Sequence, residues 1–266
     1  MSLLEAFIFG LLQGLTEFLP ISSSAHVKLA KLIFHVESSE AQVVFDLVCH
    51  LGTLIALVIY LRGEIYHLLR YDRRKLMLLA VACFPLIPCY FLLKPVRDFA
   101  AQPQFLGVCI ICTAMILFFG DRWKLRRMEN PTLKRHVKDV LWIGAMQSAA
   151  LIPGISRSAS TISCAKMLGW EAGEAVRFSF LLSIPTIIGG NCLELLKIYL
   201  SRETSPPISI PVCAVGLVTS FVFGFMIIRF ALSYLERGNL RPFAWYCLSF
   251  GMIVTLFLNF FHGAQH

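Results

Sequence analysis

Apolar residues run through this chain in stretches too long for the core of a soluble domain. Residues 41–61, 76–93, 105–120, 178–200, 208–228 and 243–261 each approach the length that spans a bilayer, about 20 residues. Two further apolar segments are interrupted by polar residues. Residues 3–34 break at Leu19-Pro20, inside QGLTEFLPISSSAH, and residues 137–168 break at PGISRS. The arm after the first break, residues 26–34, carries Lys28 and Lys31. At about 1.5 Å per residue so short an arm cannot cross a hydrocarbon core of about 30 Å. The pattern therefore predicts six spans and two helical hairpins that enter the membrane and return. A continuous, proline-kinked span is the alternative, and serines at the break argue against lipid exposure there.

The two interrupted segments are related. Shifted by 134 positions, GLLQ at 10–13 meets GAMQ at 144–147, and ISSSA at 21–25 meets ISRSA at 155–159. Glu40-Ala41 meets Glu174-Ala175, and one position out of phase Phe45 and Thr53 meet Phe178 and Thr186. The expected fold is an all-α polytopic membrane protein, a single integral membrane domain over 1–266 with two repeats, 1–120 and 137–262. Each repeat is a re-entrant helical hairpin plus three transmembrane helices. Three crossings per repeat turn the second upside down, which is the inverted-topology plan with a site where broken helices meet. The tips, 22–26 and 156–161, are expected to converge.

Charge orients the chain. Loops at 62–75, 121–138 and 229–241 share one side and hold 15 Lys and Arg, against six on the other: Lys28, Lys31, Lys94, Arg97, Lys197 and Arg202. The basic side is cytoplasmic by the positive-inside rule, so both termini are expected outside. This distribution also explains the net charge of +8 without nucleic acid as a partner. MSLLEAF has no basic start and no cleavage site follows, so a cleaved leader is not expected. At 57% hydrophobic and 15% charged, the composition excludes an ordinary soluble enzyme. The nine cysteines fall within hydrophobic segments and read as small apolar fillers, Cys109 and Cys112 included.

The breaks carry the candidate chemistry. Gln13 and Glu17 lie four apart and share a helix face. Ser22, Ser23, Ser24 and His26 follow at the first tip; Ser156, Arg157, Ser158 and Thr161 occupy the second. Ionisable groups at membrane depth are costly and mark function. Arg157 suits bidentate phosphate binding, and glycine and serines at a helix start can present N–H groups to an anion. An acid, a hydroxyl and a guanidinium together suit phosphoryl transfer. Asp46 and His50, also four apart, stand open between supporting the site and bonding within the bundle. His35, His67, His136, His262 and His266 read as surface residues.

QGLTEFLPISSSAH, FDLVCHLGTLIA, PGISRSAST and RFSFLLSIPTIIGG, in that order, resemble the undecaprenyl-diphosphate phosphatase family, also called the bacitracin-resistance protein. The resemblance runs nearly end to end. It implies hydrolysis of undecaprenyl diphosphate to the monophosphate carrier, a bacterial inner-membrane location, a divalent cation (Mg²⁺ or Ca²⁺) with Glu17 as its ligand, and a site open to the outer face. By the same resemblance Glu17 is the essential motif glutamate, Ser23 and His26 the motif serine and histidine, and Ser156, Arg157 and Thr161 the second motif. Gln13 stands where many relatives have Glu, Ser24-Ala25 where Thr-Gly is common, and Ala159 where Gly is common. In the favoured chemistry Ser23 attacks phosphorus and His26, three residues on, assists it; water activated by Glu17 is the other route. A transporter or flippase of a polyprenyl phosphate would use the same inverted repeat. The phosphatidic-acid-phosphatase superfamily does not fit, since no Pro-Ser-Gly-His occurs. The expected partner is a polyprenyl diphosphate lipid in the membrane; assembly as a homodimer is left open.

Overall fold

The computed structural model describes residues 1–36, 39–123, 133–201 and 209–263. Lys124, Arg126, Arg127, Arg202 and His266 lie outside the described residues. In chain order the helices are α1 (Leu3–Thr16), α2 (Ser23–Ile33), α3 (Glu40–Tyr60), α4 (Arg62–Tyr71), α5 (Arg73–Cys83), α6 (Leu86–Leu92), α7 (Lys94–Ala100), α8 (Leu106–Arg122), α9 (Leu133–Ser148), α10 (Arg157–Met167), α11 (Ala172–Ser201), α12 (Ile210–Leu235) and α13 (Arg241–Gly263). Among the described residues six segments are long and apolar enough to cross a membrane: Glu40–Tyr60, Arg73–Leu92, Pro103–Arg122, Ala172–Leu200, Ile210–Leu235 and Arg241–Phe260. These are the six spans the apolar runs predict.

The interrupted segments form two pairs of shorter helices. α1 begins with a capping box, Ser2 and Glu5 each satisfying the other's backbone N–H. It ends four residues before Pro20, which has no N–H to donate to the Thr16 carbonyl and so cannot extend the helix. The chain turns through residues 17–22, and Ser22 takes a left-handed φ of 68° before α2 starts. α2 has 11 residues, about 16 Å of helix, half of what a crossing needs. In the second pair α9 ends in a 3-10 turn, Ala149–Leu151, and Gly154 at φ +100° re-aims the chain into α10. A Cβ on Gly154 would stand 2.6 Å from Cys109 Cβ, so space as well as backbone requires glycine there.

Packing interleaves the two halves of the chain. α1 and α3 both lie along α12, α8 lies along α13, α9 packs on α5 and α6, and α10 sits among α8, α9 and α11. α11 in turn packs on α3 and α5. Close approaches use small residues. A Cβ on Gly52 would meet Leu217 O at 2.6 Å, and one on Gly107 would meet Gly251 O at 2.6 Å. Membrane helices gain dispersion contact this way, since lipid offers them no hydrophobic drive to associate. Large apolar side chains stay exposed around the outside, Leu51, Ile55 and Ile59 on α3 and Leu195, Leu196 and Leu200 on α11 among them. That is the expected surface of helices solvated by lipid. The basic stretch 62–75, read as a loop, is instead mostly helix α4. Its Leu68 turns into the core while Arg62 and Arg70 stay exposed; the apolar spacing 65/68 is enough to fold it against the spans.

Candidate active site

Each hairpin tip places one helix start against the other hairpin. Glu17, one residue past α1, is buried with its carboxylate at the junction. Its Oε1 accepts from Arg157 Nη2 at 2.9 Å; its Oε2 accepts from Ser23 Oγ at 2.7 Å and from Gln13 Nε2 at 2.9 Å. Ser158 Oγ donates to Leu19 O at 3.1 Å, a second tie between the tips. One carboxylate therefore gathers the first residue of α2 and the first residue of α10. The N–H groups at the start of each helix have no partner within the helix, so two positive dipole ends face the same spot.

The surrounding structure fixes these positions. Phe18 packs on Phe180, ring centroids 5.6 Å apart, which holds the first turn against α11. Thr113 on α8 braces the second tip, donating to Gly154 O at 3.1 Å and accepting Ser156 N–H at 3.0 Å. Ser156 Oγ caps α10 by accepting from Ala159 N and pairs with Ser158 Oγ at 3.1 Å. Arg157 Nη1 is buried with no partner among the described residues. With Nη2 held by Glu17, that second edge of the guanidinium is a ready donor.

Gln13, Ser23 and Arg157 thus stand directly on Glu17, while other sequence candidates face elsewhere. Ser22 and Ser24 pair with each other through their hydroxyls at 3.2 Å. Thr161 turns away to α11, its Oγ1 2.6 Å from Ser179 Oγ. His26 does not reach back to Ser23. Its Nδ1 lies 2.8 Å from Ser22 O and its Nε2 2.7 Å from Tyr246 OH, with the ring stacked on Phe250 at 4.6 Å between centroids. α2 begins three residues before His26, so the helix turn points the imidazole toward α13 rather than back along the tip. Asp46 and His50 divide. Asp46 binds Lys31 Nζ at 2.7 Å and ties α3 to α2, whereas His50 Nδ1 lies 2.9 Å from Gln13 Nε2 and 3.8 Å from Glu17 Oε2. Tyr246 and Thr113 are additions that the motifs do not contain. Their only sequence signal is a polar atom within an apolar span.

The oxygens at this spot are those of the Glu17 carboxylate and the Ser23 hydroxyl, which suit a hard cation rather than zinc, while Gln13 turns its amide nitrogen toward them. Among the described residues no three His, Cys, Asp or Glu side chains gather into a metal site. Mg²⁺ uses one or two carboxylates together with substrate phosphates, and the residues fit an ion of that kind, arriving with a phosphorylated ligand, but not a preformed cage.

Comparison with known proteins completes the description. The family described as "Bacitracin resistance protein BacA" matches residues 6–253. An "Undecaprenyl-diphosphatase" from Protochlamydia amoebophila (strain UWE25) is 40% identical over 260 residues, 97% of this chain and 100% of the relative. One from Geotalea daltonii is 34% identical over 98% of this chain and 100% of its own length. "Undecaprenyl-diphosphatase 3" from Bacillus cereus is 35% identical over 96% of this chain and 97% of the relative.

Proposed function

The chain belongs to the bacitracin resistance protein BacA family and is an undecaprenyl-diphosphatase, and on that premise we propose that it splits its lipid diphosphate where the two hairpin tips meet. The products are undecaprenyl phosphate and inorganic phosphate, which returns the lipid carrier to cell-wall synthesis. The observation that carries this reading is the shared carboxylate, Glu17, with Ser23 Oγ at 2.7 Å and Arg157 Nη2 at 2.9 Å. A transporter needs a binding site but no activated hydroxyl, and here a hydroxyl is hydrogen-bonded to a base.

Ser23 Oγ attacks the terminal phosphorus and gives its proton to Glu17 Oε2. The bond from that phosphorus to the bridging oxygen breaks, and undecaprenyl phosphate leaves with the electron pair and takes the proton from Glu17. Glu17 then takes a proton from a water that attacks the same phosphorus; the bond from phosphorus to Ser23 Oγ breaks, inorganic phosphate leaves, and Ser23 Oγ recovers its proton from Glu17 Oε2. Arg157 offers Nη1 to the transferred phosphoryl group, whose equatorial oxygens carry the charge. The N–H groups that open α2 and α10 hold the remaining oxygens, while Ser156 and Ser158, whose hydroxyl hydrogens go to Ser158 Oγ and Leu19 O, shape the second tip. Ser22, Ser24 and Thr161 keep the two tips in shape, and His26, held on Ser22 O and Tyr246 OH, positions the start of α2. A Mg²⁺ or Ca²⁺ carried in by the diphosphate would be held by the Glu17 carboxylate and would neutralise phosphoryl charge. The test is a rapid quench with substrate labelled in its terminal phosphate. Label on Ser23 in the wild type, and its loss with turnover in Ser23→Ala, supports the reading. Near-wild-type turnover by Ser23→Ala would leave a Glu17-bound water as the attacking group.

The fold belongs to the same proposal. α1–α2 and α9–α10 are re-entrant hairpins of two inverted repeats, in a bacterial inner membrane with both termini periplasmic. Exchanging each element of one half for its counterpart supports this: α1 on α12 becomes α9 on α5, and α3 on α12 becomes α11 on α5, all observed pairs. α8 on α13 and α3 on α11 exchange into themselves.

A further inference from the structure

We propose that His50 is a substrate-binding residue, donating Nε2–H to a phosphoryl oxygen of the lipid diphosphate; this rests on the phosphatase reading above. His50 lies midway along α3, at a depth where an imidazole is costly unless it is used. A carboxylate only accepts hydrogen bonds, so the Gln13 carboxamide must turn its NH₂ group to Glu17 Oε2, at 2.9 Å. The same nitrogen stands 2.9 Å from His50 Nδ1. An amide nitrogen donates and does not accept. Nδ1 is therefore the acceptor, and the neutral ring carries its proton on Nε2. Gln13 spends one hydrogen on each neighbour and so sets the tautomer.

The two ring nitrogens point in different directions. Holding Nδ1 against the Gln13–Glu17 pair aims Nε2–H away from it, and no described residue accepts that hydrogen. The His50 side chain keeps 32% of its surface exposed, beside a Glu17 side chain at 6%. An uncommitted donor on the open side of a buried carboxylate, which already has Arg157 as its counter-ion, calls for an anionic ligand. A neutral N–H adds a contact to a phosphoryl oxygen without competing with Arg157 for Glu17. The alternative role is purely internal, with His50 serving only to hold Gln13 in place.

Two amide substitutions separate these roles. His50→Gln sets an amide nitrogen near the position of Nε2 and gives up the Nδ1 acceptor. His50→Asn sets an amide oxygen near Nδ1 and gives up the Nε2 donor. Phosphate release from a polyprenyl diphosphate by the purified wild-type chain tests the phosphatase reading by itself; the KM ratios among variants test His50. His50→Ala is expected to raise KM at least about tenfold, as loss of a hydrogen bond to a charged group does. His50→Gln should recover most of that loss, and His50→Asn should be as poor as Ala. Recovery by Asn but not Gln would overturn the proposal in favour of the internal role. Equal impairment of all three, or wild-type KM in all three, would overturn it as well. Gln and Asn both replace a ring with an amide, so the comparison survives a loss of stability common to both.

Discussion

At the scale of single residues, the membrane decides which polar groups matter. Glu17 and Arg157 are buried partners, and a buried charge left alone costs about 3–5 kcal/mol. Glu17→Gln is therefore expected to do two things together: abolish phosphate release and lower the melting temperature in detergent. Arg157→Lys is different. An ammonium can still neutralise Glu17, but it cannot keep one edge on the carboxylate and offer a second, as Nη2 and Nη1 do. Turnover should fall on the order of 10²–10³-fold while the melting temperature stays near that of the wild type. Wild-type kcat and KM for Arg157→Lys would remove the clamp role. Gln13, Glu17, Ser23 and Arg157 were all legible as candidates from the QGLTEFLPISSSAH and PGISRS stretches. His26 was legible as a motif residue, but its partner was not, because Tyr246 lies 220 positions away.

At the scale of elements, apolar run length and proline placement were enough to find the helices. Which helices touch was set by small residues. Gly52 lies against Leu217 O and Ser220 Oγ, so α3 and α12 approach more closely than any side chain at that point permits. Gly52→Ala forces the two helices apart and should cost about 1–3 kcal/mol, the usual price of overpacking. Thermal unfolding in detergent reads this directly; an unchanged melting temperature would mean that the helices have room to spare. The α4 segment has the length and charge of a connection, so the sequence alone points to a loop. Tertiary contact through Leu68 folds it.

At the scale of the whole molecule, the charge bias and the proposed inverted-repeat plan make one prediction about topology. Reporter fusions at either terminus should read as external, and fusions near Arg73 as cytoplasmic. A cytoplasmic C-terminus would dismantle the inverted-repeat reading. A second prediction concerns the cation. An ion that arrives with the diphosphate stabilises the folded chain only when substrate is present. Chelator should then depress phosphate release yet leave the melting temperature of the substrate-free protein unchanged. A fall in that melting temperature on chelation would mean that the chain itself holds a resident metal.

Periodicity, run length and local breaks depend on neighbours along the chain, and they settled the six spans, the two interrupted segments and the residue types at the tips. The four motifs in order settled the family. None of this required knowing what lies across the bundle. Contacts between distant segments did. That Glu17 bonds Ser23 and Arg157 at once, that His26 turns to Tyr246, and that Asp46 leaves the site to Lys31 while His50 joins it all follow from helix rotation and crossing angle. Asp46 and His50 occupy the same face of α3 by spacing alone. Only the packing of α1 and α2 against that face separated a residue that ties two helices together from one that meets the carboxylate.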